Sequence, residues 1–434
     1  VTKLWLQHLP ERWKAVRLKT VVELKTLRAN GSSIDGNYLG LENIEPWTGR
    51  LLKSATSENT SNDEDEKESA VSCFEPGNIL FGKLRPYLAK AHLAQEYGIC
   101  TTELLVLKPS ELLFERFLLQ VLLTPEFINL VNAETFGAKM PRADWNTIGN
   151  LLIPLPPLFE QRAIANYLDR ETAKIDTLIS DKERLLDLLT EKRRALITDA
   201  VTHGLNPTIP LWNSGFEWLG KIPQHWNVKR IKFLIFGIDT GFSPQCYNFP
   251  AQEREWGVLK TGCVNGGIFN PQENKTLPPE IEPPLELEVK KDDILMSRAS
   301  GSKDLIGSVV LVQNQPSERL LLSDKIFRLK LNTEICDAKF FVITMGSFIV
   351  RQQILQFVSG AEGLANNIAQ SDIRELLFPV PLMEEQIKIV SFVEEKTSKI
   401  DKLSHAAVMT IDYLHERRAA LITATVTGQI KMTG

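Results

Sequence analysis

Pro154-Leu-Pro156-Pro-Leu-Phe-Glu160-Gln161 returns as Pro379-Val-Pro381-Leu-Met-Glu-Glu385-Gln386, 225 residues later. The match continues at the same interval without a gap. Thr172-Ala-Lys174-Ile175-Asp176 answers Thr397-Ser-Lys399-Ile400-Asp401, Leu196-Ile197-Thr198 answers Leu421-Ile422-Thr423, and Val201-Thr202 answers Val426-Thr427. A shorter repeat opens each half, with Leu9-Pro10-Glu-Arg-Trp13 returning as Ile222-Pro223-Gln-His-Trp226. The stretches between these markers, roughly 14–150 and 227–375, do not visibly align. The interval is far too long for a solenoid, whose units run about 20–50 residues. The chain therefore reads as a duplication in which the flanking segments kept one job while the intervening regions diverged.

Each repeated segment predicts a long helix. Positions 164, 168, 171, 175, 178, 182, 185, 189, 192 and 196 follow a 4-3 spacing, and the same frame in the second half starts at Ile389, Val393, Lys396, Ile400 and Leu403. Neither stretch contains Pro or Gly, from about 158 to 203 or from about 384 to 427. An ordinary long core helix is the competing reading, but heptads sustained over so many turns favour a coiled-coil seam. At about 1.5 Å per residue each helix reaches roughly 60 Å. The divergent regions read as mixed α/β with short strands. Gly77–Pro86 reads as a turn, a strand and a basic loop, Asp292–Gly301 has the same form in the second half, and apolar helical stretches fall near 111–131 and 337–358.

Composition sets the bounds. A chain of 434 residues, 43% hydrophobic and 24% charged, is expected to form two or three globular domains. Five scattered cysteines (Cys73, Cys100, Cys246, Cys263, Cys336) without a C-x-x-C pair argue against a disulfide framework and against zinc, and fit reduced thiols. No apolar run is long enough to span a membrane, and Val1-Thr-Lys-Leu-Trp5 has no signal-peptide pattern; the expected location is the cytoplasm. Net charge is −4, but six carboxylates crowd between Glu58 and Glu68 in a polar stretch, 54–70, that reads as a solvated acidic loop. The remainder is near neutral, so any DNA binding requires basic residues concentrated in one place or phosphate contacts from a partner.

Catalytic patterns are missing. No G-x-x-x-x-G-K-[ST] loop, no Asn/Asp-Pro-Pro-aromatic motif and no Gly-rich cofactor loop is present. The six histidines have no metal-ligand spacing. Glu288-Val-Lys290 resembles half of a nuclease motif without the Pro-Asp strand end that should precede it.

The repeated Pro-x-Pro…Glu-Gln lead-ins, Lys174-Ile-Asp176 and Lys399-Ile-Asp401, the Arg-Ala-Leu-Ile-Thr ends and the Pro-x-x-Trp openings resemble the specificity subunit of type I restriction-modification systems. Phe81-Gly-Lys-Leu-Arg-Pro-Tyr87 looks like part of that family's first target-recognition domain; Ser297-Arg298-Ala departs from it in the second half. The resemblance implies an α+β architecture: two mixed α/β target-recognition domains separated by two long conserved helices packed as an antiparallel coiled coil, with an internal pseudo-two-fold repeat. On that reading 1–153 is the first recognition domain and 154–205 the first helix. A linker and the second recognition domain fill 206–378, and 379–434 is the second helix.

The resemblance further implies a non-catalytic subunit reading a bipartite double-stranded DNA target. Two methyltransferase subunits dock on the helices and restriction/translocase subunits join them. S-adenosylmethionine, ATP and magnesium belong to those partners, none to this chain. The candidate DNA-contacting residues are Lys83, Arg85, Tyr87, Lys139 and Arg142 in the first domain and Lys260, Thr261, Arg298, Ser300 and Lys303 in the second, because Arg and Lys reach guanine edges or phosphates and Ser and Thr serve either. The expected helix-packing and partner-docking positions are Gln161, Ile164, Leu168, Ile175, Leu178 and Leu189 in the first helix. In the second they are Gln386, Ile389, Val393, Ile400, Leu403 and Leu414. The alternative in another class is a non-DNA interaction protein that holds two α/β modules on a coiled-coil spacer, which the acidic net charge favours.

Overall fold

The computed structural model describes residues 4–26, 28–30, 37–52, 70–137, 139–358 and 366–431; the predicted acidic loop lies almost wholly outside them. The chain forms two compact units, Val1–Glu183 with Ala407–Gly434, and Arg184–Ala406. Each unit contains one divergent region together with parts of both long helices.

In the first unit β1 (Lys14–Arg17) pairs with β10 (Leu152–Leu155), so the opening of the domain is zipped to its exit. Between them lie β2 (Val22–Lys25), β3 (Arg28–Asn30), β4 (Asn37–Leu39), β5 (Ala70–Phe74), β6 (Ile79–Gly82), β7 (Ala91–Leu93), β8 (Gly98–Thr101) and β9 (Leu104–Pro109). They make two four-stranded sheets, ordered β2-β9-β6-β7 and β3-β5-β8-β4, with β4 parallel to β8. Helices α1 (Glu115–Leu122) and α2 (Pro125–Ala133) bury Phe117, Val121, Phe127 and Val131 with the first sheet; Phe81 meets Phe127 edge-to-face at 6.1 Å. A short helix α3 (Trp145–Ile148) leads to β10, and then α4 runs unbroken from Leu158 to His203.

The second unit repeats this plan in a sequence that gives no alignment. Two short strands, β11 (Leu211–Asn213) and β12 (Lys221–Pro223), precede β13 (Asn227–Arg230), which pairs with β23 (Leu377–Val380) as β1 pairs with β10. The strands between are β14 (Ile235–Thr240), β15 (Trp256–Leu259), β16 (Asn274–Thr276), β17 (Ile294–Ser297), β18 (Ala299–Ser300), β19 (Val309–Leu311), β20 (Arg319–Leu321), β21 (Ile326–Leu331) and β22 (Asn366–Asn367). The main sheet runs β14-β21-β17-β19, and β15 lies parallel to β20 as β4 does to β8. Helices α5 (Ala338–Met345) and α6 (Phe348–Phe357) cover it, followed by α7 (Gln370–Glu375) and α8 (Met383–Val426). Alternating apolar positions on the strands are free to change identity while the pleat keeps its register, which is how two unalignable sequences hold one topology.

The repeated motifs form the joints. Trp13 Nε1 donates to Glu160 Oε2 at 2.8 Å, and Trp226 Nε1 to Glu385 Oε2 at 3.0 Å. Gln161 is fully buried: its Oε1 accepts from Phe114 N (2.7 Å) and its Nε2 donates to Leu112 O (2.9 Å) and Pro156 O (2.8 Å). Gln386 does the same with Asp337 N, Ile335 O and Pro381 O, at 2.8, 3.1 and 3.0 Å. Only an amide offers an acceptor and two donors on one planar head. That explains the Gln at this place in both halves.

Within each unit the long helices pack antiparallel. In the first, Ile164 and Leu168 share a core with Ile422 and Val426, while Ile175 and Ile179 meet Leu414 and Ile411. In the second, Ala200 and Val201 share a core with Ile389, Val390 and Val393, and Arg193 Nε reaches Asp401 at 3.3 Å. Leu189 and Ile400 are also buried. The seam, however, follows 168, 172, 175, 179 rather than 168, 171, 175, 178. Leu178 is 47% exposed and Leu403 is 58% exposed, whereas Ile179 is 8% exposed. The doublet Leu178-Ile179 left the frame open in the sequence. Thr172 and Thr397 decide it, because their hydroxyls donate to the carbonyls of Leu168 and Val393 four residues back and are thereby satisfied inside the seam. Ile179→Ala is expected to destabilise the first unit by about 2–4 kcal/mol. Leu178→Ala should cost less than about 1 kcal/mol. Urea midpoints of the two variants check this, and equal losses would restore the 178 frame.

Candidate nucleic-acid interface

β6 ends at Gly82 and delivers Lys83 into a loop held by main-chain bonds. Lys83 N donates to Glu103 O (3.0 Å), and Lys83 O accepts from Ala143 N (3.0 Å). Arg85 N donates to Pro141 O (2.8 Å). Arg85 adopts φ 50°, a left-handed conformation rare outside Gly and Asn, and Ala89 follows at φ 46°. Pro86 fixes the turn between them, which leaves Tyr87 45% exposed. Strain of this kind persists where surrounding bonds over-determine the backbone, as at ligand-facing loops.

The exit loop comes back against the same place. Phe136 and Arg142 exchange two main-chain bonds of 3.0 Å, and Arg142 Nη2 pairs with Glu103 Oε1 at 3.1 Å. Lys139 is exposed at the tip between them, flanked by Phe136 and Met140, which are 61% and 51% exposed. Lys83, Arg85, Tyr87 and Arg142 thus share one loop pair, with Lys139 at its rim.

The second unit builds the same frame. Arg298 N donates to Lys325 O (2.8 Å), Arg298 O accepts from Ile368 N (3.1 Å), and β18 pairs with β22. Arg298 lies where Lys83 does, with Ser300 and Lys303 following it as Arg85 and Tyr87 follow Lys83. The Arg298 guanidinium donates to Asp324 O (3.3 Å) and lies 5.7 Å from the Phe327 ring centre. Lys260 and Thr261 fall elsewhere: they follow β15, and Lys260 N bonds Glu273 O (2.8 Å) in the β15–β16 hairpin. Among the described residues they share no hydrogen bond with the Arg298 loop.

Sequence reasoning missed three parts. The turns carrying Glu103 and Lys325 support both loops. The 240–243 segment lies against the second: Gln370 Nε2 donates to Thr240 Oγ1 (2.7 Å), and Ser243 Oγ bonds Asp324. A Cβ on Gly241 would fall 2.0 Å from Leu322 O, so the approach requires glycine. None of these has a local signature; each is created by the sheet order.

The surroundings offer no activated nucleophile among the described residues. Burial pushes the Cys100 and Cys263 thiols up to about 12, and raises Cys336 further still. Asp239 stays ionised despite burial because Lys330 and Arg328 bond its carboxylate. No group of three His, Cys, Asp or Glu side chains among the described residues is arranged to hold a metal ion. No single helix among them is long and apolar enough to cross a membrane; the bent pair α5–α6 is apolar because it packs in the second core.

Residues 10–186 match the type I restriction modification DNA specificity domain. The EcoEI specificity subunit of Escherichia coli is 31% identical over 220 residues, covering 50% of this chain and 36% of that protein. The EcoKI specificity subunit of Escherichia coli K12 is 24% identical over 304 residues, covering 69% and 62%. The chain thus spans less than two thirds of the length of these curated relatives. A chain solved in work on complex assembly and conformational transition of the type I R-M system superposes with a TM-score of 0.73 at 18% identity, covering 98% of this chain and all of that one, which shows a common fold. In sequence, the likeness to the DNA specificity domain of type I restriction-modification systems is thus carried by residues 10–186.

The buried thiols give a direct check of how the two units are packed. Burial holds the Cys100 and Cys263 thiols in the protonated, unreactive form at pH 8. Native protein treated with a maleimide should therefore leave Cys100, Cys263 and Cys336 unmodified until denaturant is added. Rapid labelling of any of the three in the folded chain contradicts the burial described.

Proposed function

We propose that this chain is the DNA sequence-specificity subunit of a type I restriction-modification enzyme, with no catalysis of its own. Each recognition domain, 1–153 and 206–378, reads one half of an asymmetric, interrupted duplex target. One observation carries this reading: both domains present a basic loop, at Lys83 and at Arg298, from the same main-chain frame with different side chains on it. A constant frame fixes where the loops meet a groove, and the changed side chains alter which base edges they match.

Lys83, Arg85, Lys139 and Arg142 in the first domain, and Arg298, Lys303 and Lys325 in the second, supply the cations that phosphate neutralisation requires. The long helices dock two methyltransferase subunits and set the spacing between half-sites. Restriction subunits join these, and S-adenosylmethionine, ATP and magnesium act on the partners. The duplicated chain gives two similar surfaces to two copies of one partner. Cytoplasmic DNA is the substrate of the assembly.

Salt-dependent binding to duplex DNA, with and without the methyltransferase, tests the reading. Arg85→Ala should cost about 1–3 kcal/mol if Arg85 meets a base edge. Unchanged affinity and unchanged sequence preference would remove it from the interface. Exchanging 14–150 for another family member's first domain should alter one half-site only, as read from mapped methylation sites. Methyl transfer or DNA cleavage by the pure chain with cofactors added would overturn the non-catalytic assignment.

A further inference from the structure

We infer that the residue at the turn before each domain's interior strand, Glu103 before β9 and Lys325 before β21, selects the base met there. Glu103 accepts from the amino group of an adenine or cytosine, and Lys325 donates to a guanine. The inference rests on the DNA-reading function proposed above.

The two residues are counterparts by geometry. Glu103 O takes the Lys83 amide and Lys325 O the Arg298 amide, at 3.0 and 2.8 Å. The carbonyls of Lys83 and Arg298 then take Ala143 N and Ile368 N. Two successive bonds thus fix 103 and 325 at one place in the same frame, beside the loops that carry the candidate contacts. At that place the side chains have opposite charge.

A carboxylate at a surface that meets phosphates is repelled by them, so Glu103 needs a specific role. Folding uses only one of its two carboxylate oxygens. Its Oε1 takes one of the five N–H donors of the half-exposed Arg142, while Oε2 is covered and has no hydrogen-bond partner among the described residues. A structural carboxylate fills both oxygens, since a covered polar atom without a partner is costly. Rotation of the side chain toward a base edge frees that oxygen, and acidic side chains accept from cytosine N4 in the major groove just as Asn and Gln do from adenine. Lys325 is exposed and makes no ion pair among the described residues. Its neighbour Asp324 is held by Ser243, and the Asp324 carbonyl is held by Arg298. Lys325 is thereby left as the donor at that turn, and a Lys donor matches guanine O6 and N7.

The test uses the full chain assembled with its methyltransferase partner, selecting duplexes from a library with both half-sites randomised. Glu103→Gln should reduce discrimination by roughly 10- to 100-fold at one position, in the half-site that the 14–150 exchange alters. Glu103→Lys should move that position to guanine. Lys325→Glu should move one position of the other half-site away from guanine. The same sequences enriched by every variant, or a uniform loss of affinity over all sequences, overturn the inference. So does an effect of Glu103→Gln that disappears in an Arg142→Ala background, because Glu103 then acts only by positioning Arg142. Wild-type protein that enriches no sequence overturns the DNA-reading function itself, an outcome distinct from enrichment that ignores Glu103 and Lys325.

Discussion

A tryptophan indole donating to the first-turn glutamate of a long helix is the joint on which each unit depends. In the first unit Trp13, Glu160 and Pro10 meet the end of α8, where a Cβ on Gly428 would fall 2.5 Å from Pro10 Cγ. In the second, Trp226 and Glu385 meet the end of α4, where Gly204 has Glu385 Oε1 and Trp226 at 3.0 and 3.2 Å from the same ideal position. Both glycines are left-handed, at φ 76° and 74°, as a helix C-terminus favours. Three separately repeated motifs therefore belong to one contact: the domain opening, the start of its own helix and the end of the other half's helix. Loss of any one leaves a buried indole N–H or a covered carboxylate without its partner, which costs more than the bond itself contributes.

Such joints leave the domains between them free to change. The β1–β10 and β13–β23 pairings close each domain at its base, and the buried glutamines tie its first covering helix to the long helix. Everything that specifies the frame is either main-chain pairing or a repeated side chain. At Lys83 and Arg298 the frame itself is held by main-chain bonds. The side chains at those positions can therefore vary without removing the main-chain bonds that hold the frame.

What the sequence revealed followed this division. The joints were legible because each demands a particular residue: the amide of Gln161, the indole of Trp13, the carboxylate of Glu160. The heptad seam was legible as a repeat but not in phase, since Leu178-Ile179 and Leu185-Leu186 offer an apolar residue in either frame, and only packing selects Ile179. Of the common topology of the two domains, only the strand running into a basic loop and the later helical stretches were legible; the sheet order was not. Strands of alternating apolar residues keep no memory of identity, only of period. The Arg85 and Arg298 loops could be singled out because basic residues followed a clear strand. Glu103 and Lys325 could not, because only the neighbouring strands bring those turns beside the loops.

The repeat is closer in its helices than in what the domains attach to them. The 225-residue interval carries Asp176 to Asp401 and Arg193 to Arg418. Arg418 Nε meets Asp176 at 2.9 Å with both side chains nearly buried, while Arg193 and Asp401 make the corresponding pair in solvent. The difference lies in the first domain's hairpin around Trp47–Arg50: Arg50 Nη2 lies 2.5 Å from Asp176 Oδ2, and Arg418 Nη1 donates to Trp47 O at 3.0 Å. An exposed ion pair contributes little, whereas a covered pair that loses a partner is strongly destabilising. A foreign domain placed on the first seat thus inherits an aspartate and an arginine arranged to be covered. It can be exchanged freely only if it brings a hydrogen-bonding hairpin of its own to that spot, while the second seat makes no such demand.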